Sequence, residues 1–162
     1  MPDIVDPQVG FVSFQQEYRD GRITPAKCES HPKLYMLHDT PSEGVQRLTY
    51  VFIADLVVKA YAVYVLAQPL DGKVCFGVGY ATDPQCRGQG LATEVVRASM
   101  VELEKGINPK LLEPGFYVEA IVSIDNLASQ KVAARTLDDS PKETTDKPSG
   151  RPALHYVKLL GA

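Results

Sequence analysis

Beyond residue 46, apolar and polar positions divide the chain into strand-like runs and two helical stretches. Leu48-Thr49-Tyr50-Val51-Phe52-Ile53 and the run from Val57 to Leu66 are rich in β-branched and aromatic residues and break near Asp55, which predicts two paired strands. Pro69-Leu70-Asp71-Gly72 supplies the positive-φ positions of a tight hairpin turn and leads into a third run, Val74 to Thr82. A three-strand meander is therefore expected. Leu91, Ala92, Val95, Val96, Ser99, Met100 and Leu103 then recur at helical spacing on one face. Thr93, Glu94, Arg97, Glu102 and Glu104 take the other face, and Gly106 is expected as the C-terminal cap. A further strand is predicted from Phe116 to Val122, then a helix over Leu127 to Arg135 capped by Asp125 or Asn126, then a last strand from Ala153 to Leu160.

Two stretches resist this reading. Residues 1–46 are poorly legible: Val9 to Tyr18 reads as a short helix stopped at Asp20-Gly21, Pro25, Pro32 and Pro41 interrupt the rest of the segment, and Lys33 to His38 reads as a strand. Residues 138–150 are polar and turn-rich and are expected as a surface loop. The size and the mixture of elements predict one domain over residues 1–162, of α/β (α+β) class.

The junction between the third strand and the first long helix, Asp83-Pro84-Gln85-Cys86-Arg87-Gly88-Gln89-Gly90-Leu91-Ala92, carries the clearest chemistry. Pro84 cuts off further sheet pairing, and Gly88 and Gly90 leave the backbone bare just where a helix begins. Successive N–H groups with no Cβ in the way can face an anion, and the helix N-terminus adds partial positive charge. The reading is a strand–turn–helix cradle for phosphate. Neither common nucleotide fingerprint fits: no Lys-Ser/Thr pair follows the turn, and Thr93 stands where a dinucleotide fold has its third glycine.

Charge and cysteine content narrow the partners. The formal net charge is −3, and no block of Lys or Arg stands out, which argues against nucleic acid and against a membrane surface as partners. Cys28, Cys75 and Cys86 are odd in number and have no His at ligand spacing, so no disulfide framework and no metal site are expected, and reduced thiols in a cytoplasmic protein fit best. The start, Met1-Pro2-Asp3-Ile4-Val5-Asp6, is acidic rather than basic, so no export signal is expected. No apolar run reaches the roughly 18–20 residues that span a bilayer.

Gln85-x-x-Gly88-x-Gly90 after a strand and at a helix start, followed by a second strand–helix unit, Glu119-Ala120-Ile121-Val122 with Asn126-Leu127-Ala128-Ser129 and Val132, resembles the GNAT superfamily of acyl-CoA-dependent N-acyltransferases. The wording is closest to the ribosomal-protein and N-terminal acetyltransferase branch, and it covers residues 47–137, with the final strand matching loosely. The resemblance implies a mixed central sheet, mostly antiparallel with one splayed parallel pair, flanked by helices. It implies acetyl-CoA as cosubstrate, with Tyr80, Ala81 and Thr82 along the pantetheine arm, Gln85, Arg87, Gly88, Gln89, Gly90, Leu91 and Ala92 around the pyrophosphate, and Asn126 with Ser129 at the second helix.

By the same resemblance, a primary amine of a small molecule or peptide attacks the thioester directly. A lysine amine, with a pKa of about 10.4, needs a base more than an α-amine near 7.7–8.0 does. Glu119, the one acid in an otherwise apolar strand, is the candidate base; its bland alternative is an outward-facing charge. The family's usual acid, a tyrosine seven places after the asparagine, is replaced by Ala133, which leaves Ser129 or a water for that role, with Tyr156 and His155 on the last strand as weaker candidates. Adjacent strand residues face opposite ways, so at most one of His155 and Tyr156 points to the site. Leu137 stands where the family turns with Gly-Phe, so the following strand is expected to be short or absent. Homodimers are common in the family, while no stretch of this sequence marks an interface. A non-catalytic acyl-CoA sensor of the same fold is the alternative. Acetylation of aminoacyl-tRNA is disfavoured by the acidic balance.

Overall fold

The structure is a computed structural model that describes residues 6–162; the acidic start lies, apart from Asp6, outside the described residues. The described residues form two compact units, one made of those up to Val65 together with Gly79–Leu103, the other of Leu66–Val78 and Glu104–Ala162.

The first unit opens with helix α1, Pro7–Arg19. Asp6 caps it, its Oδ1 accepting the Gln8 N–H at 2.9 Å, and Pro7 occupies the first turn, where its missing N–H costs nothing. The short strand β1 (Ala26–Lys27), β2 (Leu34–Ser42), β3 (Val45–Ala54) and β4 (Val57–Leu66) form an antiparallel meander. The β3–β4 turn is tight because Asp55 and Leu56 both adopt positive φ, at 53° and 62°. That cost is carried by two non-glycine residues, which is why the sequence shows only a break there.

Alternation along the meander serves two helices. Val51 and Tyr61 face α1, joining Phe11, Phe14, Val58 and Ala81 in one apolar cluster. The opposite face holds Tyr50, Phe52 and Tyr64 and meets helix α2, Leu91–Ile107, through its inward residues Val95, Val96, Ser99, Met100 and Leu103. Gly106 lies inside α2 and has no positive φ, so it is not the C-terminal cap expected from sequence. The helix continues to Ile107, and a 3₁₀ turn over Asn108–Lys110 containing Pro109 takes over.

In the second unit the start of β5 (Cys75–Thr82) pairs in parallel with β6 (Phe116–Ser123), from Cys75↔Tyr117 to Gly77↔Glu119. Helix α3 (Leu127–Thr136) follows β6 and lies against β6 and β8. The chain then forms β7 (Lys142–Thr145) and β8 (Pro152–Leu160), with β8 antiparallel to both β6 and β7. Residues 138–150, expected as a surface loop, therefore contain an edge strand. All four of its residues are exposed, so no apolar alternation announces it. The strand order is β1-β2-β3-β4-β5-β6-β8-β7, a mixed sheet with one parallel pair flanked by helices, as the resemblance implied.

Tyr64 and Ser99 show how α2 is fixed to its sheet. Both are fully buried, with their oxygens 2.6 Å apart, and Ser99 Oγ donates its proton to the Val96 carbonyl at 3.0 Å, so the Tyr64 hydroxyl is the donor between them. Ser99→Ala strands a buried hydroxyl, whereas Tyr64→Phe removes the donor and leaves Ser99 satisfied. Urea unfolding should show a cost of about 1–3 kcal/mol for Ser99→Ala and a smaller one for Tyr64→Phe. Equal costs would contradict this assignment of donor and acceptor.

Candidate active site

The turn after β5 is built by local hydrogen bonds. Asp83 Oδ1 accepts the Gln85 N–H at 2.9 Å and the Asp83 carbonyl accepts the Cys86 N–H at 2.8 Å, closing a 3₁₀ turn over Pro84–Cys86. Arg87 is extended, and Gly88 and Gly90 then take φ of 81° and 73°, a region costly for residues with a Cβ. Gln85, Arg87, Gly88, Gln89 and Gly90 are all exposed, and a Cβ built on either glycine would meet nothing within 4 Å.

Helix α2 starts at Leu91, so the N–H groups of Leu91 and Ala92 belong to its unsatisfied first turn. Glu94, the acid of that first turn, is held by His31, whose Nε2 lies 2.9 Å from Oε1. His31 Nδ1 accepts the Lys33 N–H at 3.1 Å, so in the neutral ring Nε2 carries the proton that goes to Glu94. Upstream, Tyr80 and Thr82 are half-buried, while the Ala81 side chain is packed into the cluster beneath α1. An anion at Gly88–Ala92 would meet bare backbone and a helix N-terminus, an arrangement suited to phosphate oxygens.

In the second unit Glu119 is neither a free surface charge nor a core residue. Its side chain is 17% exposed, and Oε1 accepts the Cys75 thiol at 3.4 Å and lies 3.5 Å from His155 Nε2. The β6–β8 register explains the meeting: Val157 lies directly opposite Glu119 and His155 two residues along on the same face. Nε2 of His155 is buried and makes no well-formed hydrogen bond among the described residues, so at 3.5 Å its approach to Glu119 is a long, imperfect polar contact. The His155 imidazole, aided by the Cys75 thiol, holds the Glu119 carboxyl below its usual range against the opposing effect of burial. Burial and the neighbouring carboxylate push the Cys75 thiol up to about 12, so it stays protonated and unreactive.

Tyr156, named from sequence as a candidate acid, sits opposite Ala120 on the other face of the sheet and is 3% exposed. It does not join Glu119; of the adjacent pair, His155 does. Asn126 is exposed and caps α3, its Oδ1 accepting the Ser129 N–H at 3.1 Å. Ala133, in the place of the family's tyrosine, is fully buried. Sequence reasoning ranks His155 low and gives Cys75 no part as a partner. The alternation of β8 counted back from Val157 is the available signal for His155, but it needs the register. Among the described residues no group of three or more His, Cys, Asp or Glu side chains could hold a metal, and no helix is long and apolar enough to cross a membrane.

Residues 43–136, more than half the chain, match the sequence model of the acetyltransferase (GNAT) domain. The chain belongs to the GNAT acetyltransferase family. No curated protein matches it in sequence. Among solved structures, the fold of this GNAT protein is similar to RimL, the ribosomal L7/L12 alpha-N-protein acetyltransferase in complex with coenzyme A, at 16% identity and a TM-score of 0.50, over 70% of this chain and 62% of that one. It is similar to the ribosomal-protein-S5-alanine acetyltransferase from Vibrio fischeri, at 17% identity and a TM-score of 0.54, over 71% and 61%. A third is the aminoglycoside acetyltransferase AAC(6')-Ib in complex with coenzyme A and kanamycin, at 20% identity and a TM-score of 0.52, over 70% and 67%. The chain thus spans about three-fifths of the length of RimL. At these identities the likeness is one of fold.

Because folding lowers the Glu119 pKa, the stability it contributes is complete above the unfolded value of about 4.3 and is lost as pH falls through the folded value. Urea midpoints measured from pH 6 downward should fall more steeply for the wild type than for Glu119→Gln. Parallel profiles would mean that Glu119 gains nothing from His155 and Cys75.

Proposed function

We propose that this GNAT protein transfers an acetyl group from acetyl-CoA to a primary amine of a small molecule or peptide by direct attack of the amine on the thioester. The observation that carries the reading is the exposed Gly88–Gly90 turn at the N-terminus of α2, inside the region that matches the family. In this reading Gln85 and Arg87–Ala92 hold the pyrophosphate. The backbone of Tyr80–Thr82 has the role of holding the pantetheine, and in the second unit the Asn126 amide offers Nδ2 as a donor because Oδ1 is committed to the α3 cap. The coenzyme supplies the activated acetyl group. Likeness to two ribosomal-protein acetyltransferases and one aminoglycoside acetyltransferase supports an amine acceptor.

Glu119 has the role of accepting a proton from the incoming ammonium, directly or through water. Its lowered pKa keeps it ionised at neutral pH and also makes it a modest base. That favours an α-amino group, near 7.7–8.0, over a lysine near 10.4. A partner that is nucleic acid is disfavoured by the charge of −3, and a cytoplasmic location and a homodimer belong to the same reading, the first from the reduced thiols and the second from the family resemblance.

A second reading, an acyl-CoA sensor without turnover, draws on the buried Ala133 and on Tyr156 facing away from Glu119. Release of free CoA, followed across peptides with free α-amines, lysine, polyamines and aminoglycosides, separates the two. Transfer should be fastest to an α-amine, and Glu119→Gln should lose about 100-fold or more in turnover. Thermal stabilisation by acetyl-CoA without release on any amine would favour the sensor. Gly90→Glu should abolish stabilisation by acetyl-CoA, because the added carboxylate repels phosphate; the side chain has room, but the positive φ of 73° lowers the melting temperature of the free protein, which is recorded alongside. A folded variant that responds as the wild type does would refute the assignment of this turn.

A further inference from the structure

Helix α1 carries a stripe of inward residues, Phe11, Phe14 and Tyr18, at helical spacing. Gln15, four residues after Phe11, falls on that stripe, where an apolar side chain would be the plain choice. A polar group turned inward costs free energy unless it is hydrogen-bonded, and Gln15 is fully engaged as a donor. Its Nε2 donates one proton to the Val58 carbonyl at 3.0 Å and the other to Asp83 Oδ2 at 2.9 Å.

Asp83 is the hinge on which the glycine turn begins. One carboxylate oxygen takes the Gln15 amide, and the other takes the Gln85 N–H and starts the 3₁₀ turn. Its own N–H donates to the Lys59 carbonyl at 2.9 Å, and its carbonyl accepts from Cys86 at 2.8 Å. Gln15 therefore fixes the rotation of a carboxylate that, through its second oxygen, fixes the first backbone amide of the turn. Five residues after Gln85, Gly90 reaches the start of α2.

We propose that Gln15 is a positioning residue for coenzyme A: by holding the Asp83 carboxylate it sets the direction in which the Gly88–Ala92 amides present themselves to the pyrophosphate. The inference rests on the acyl-CoA reading of the glycine turn. The poorly legible N-terminal segment thereby takes part in donor binding through one amide. The bland alternative is a clip that only docks α1 on its sheet, and the two differ in what they do to ligand affinity.

Calorimetric titration of CoA into wild type, Gln15→Leu, Asp83→Asn and the double variant tests it, with each melting temperature recorded without ligand. Asp83→Asn keeps Oδ1 for the Gln85 cap and replaces the acceptor of the Gln15 bond with a donor, so it breaks the link without dismantling the turn. Each single change should weaken CoA binding by about 5-fold, the worth of one hydrogen bond near 1 kcal/mol, and the double variant should be no weaker than the poorer single one. Folded single variants with wild-type affinity, or losses that add fully in the double variant, would overturn the proposal. A Gln15→Leu protein that does not fold leaves Asp83→Asn to decide, because wild-type affinity in that variant alone is enough to reject it. If the wild type itself binds no CoA, the acyl-CoA reading fails and takes this inference with it.

Discussion

Two positive-φ glycines set two residues apart, at the start of a long helix, are the constraint on which the functional reading depends. Gly88 and Gly90 hold backbone angles that residues with a Cβ adopt only at a cost, and both are open to solvent. A turn meant only to reverse direction between β5 and α2 could have been made with one such residue. Two of them bare a run of amides that the helix N-terminus makes electropositive, and the rest of the first unit holds that run still. The Tyr64–Ser99 bond fixes α2 on one face of the meander, and the Phe11–Phe14 cluster fixes α1 on the other. Gln15 and Asp83 connect α1 to the first residue of the turn.

The second unit supplies a different resource, a carboxylate kept ionised away from bulk water. Glu119 shares its face with His155, and Cys75 donates to it from the neighbouring strand. Both partners stabilise the anion more than burial opposes it. In the proposed reaction, a glutamate so arranged is a modest base, better matched to a partly deprotonated amine than to a strongly basic one.

Most elements are legible in the sequence because their apolar residues keep a single period. β4 runs over Val57–Leu66, where the β-branched run predicts it, and α2 and α3 begin where capping and helical spacing place them. The failures have physical causes. β7 is an edge strand exposed on both faces, so it has no alternation to read, and Gly106 is a helix-interior glycine whose sequence is indistinguishable from that of a cap. In the candidate site, the glycine turn can be read because its chemistry is local. Gln15, Cys75 and His155 cannot be ranked from sequence because each acquires its meaning from a residue at least 36 positions away, through a helix orientation or a strand register that the sequence does not display.

The functional reading stands or falls on whether the amides from Gly88 to Ala92 hold the phosphates of coenzyme A. Backbone amide resonances followed during a CoA titration test this residue by residue. Saturable shifts at Gly88, Gly90, Leu91 and Ala92, among the largest in the spectrum, are the expected result. Saturable binding with those four resonances unmoved would contradict it.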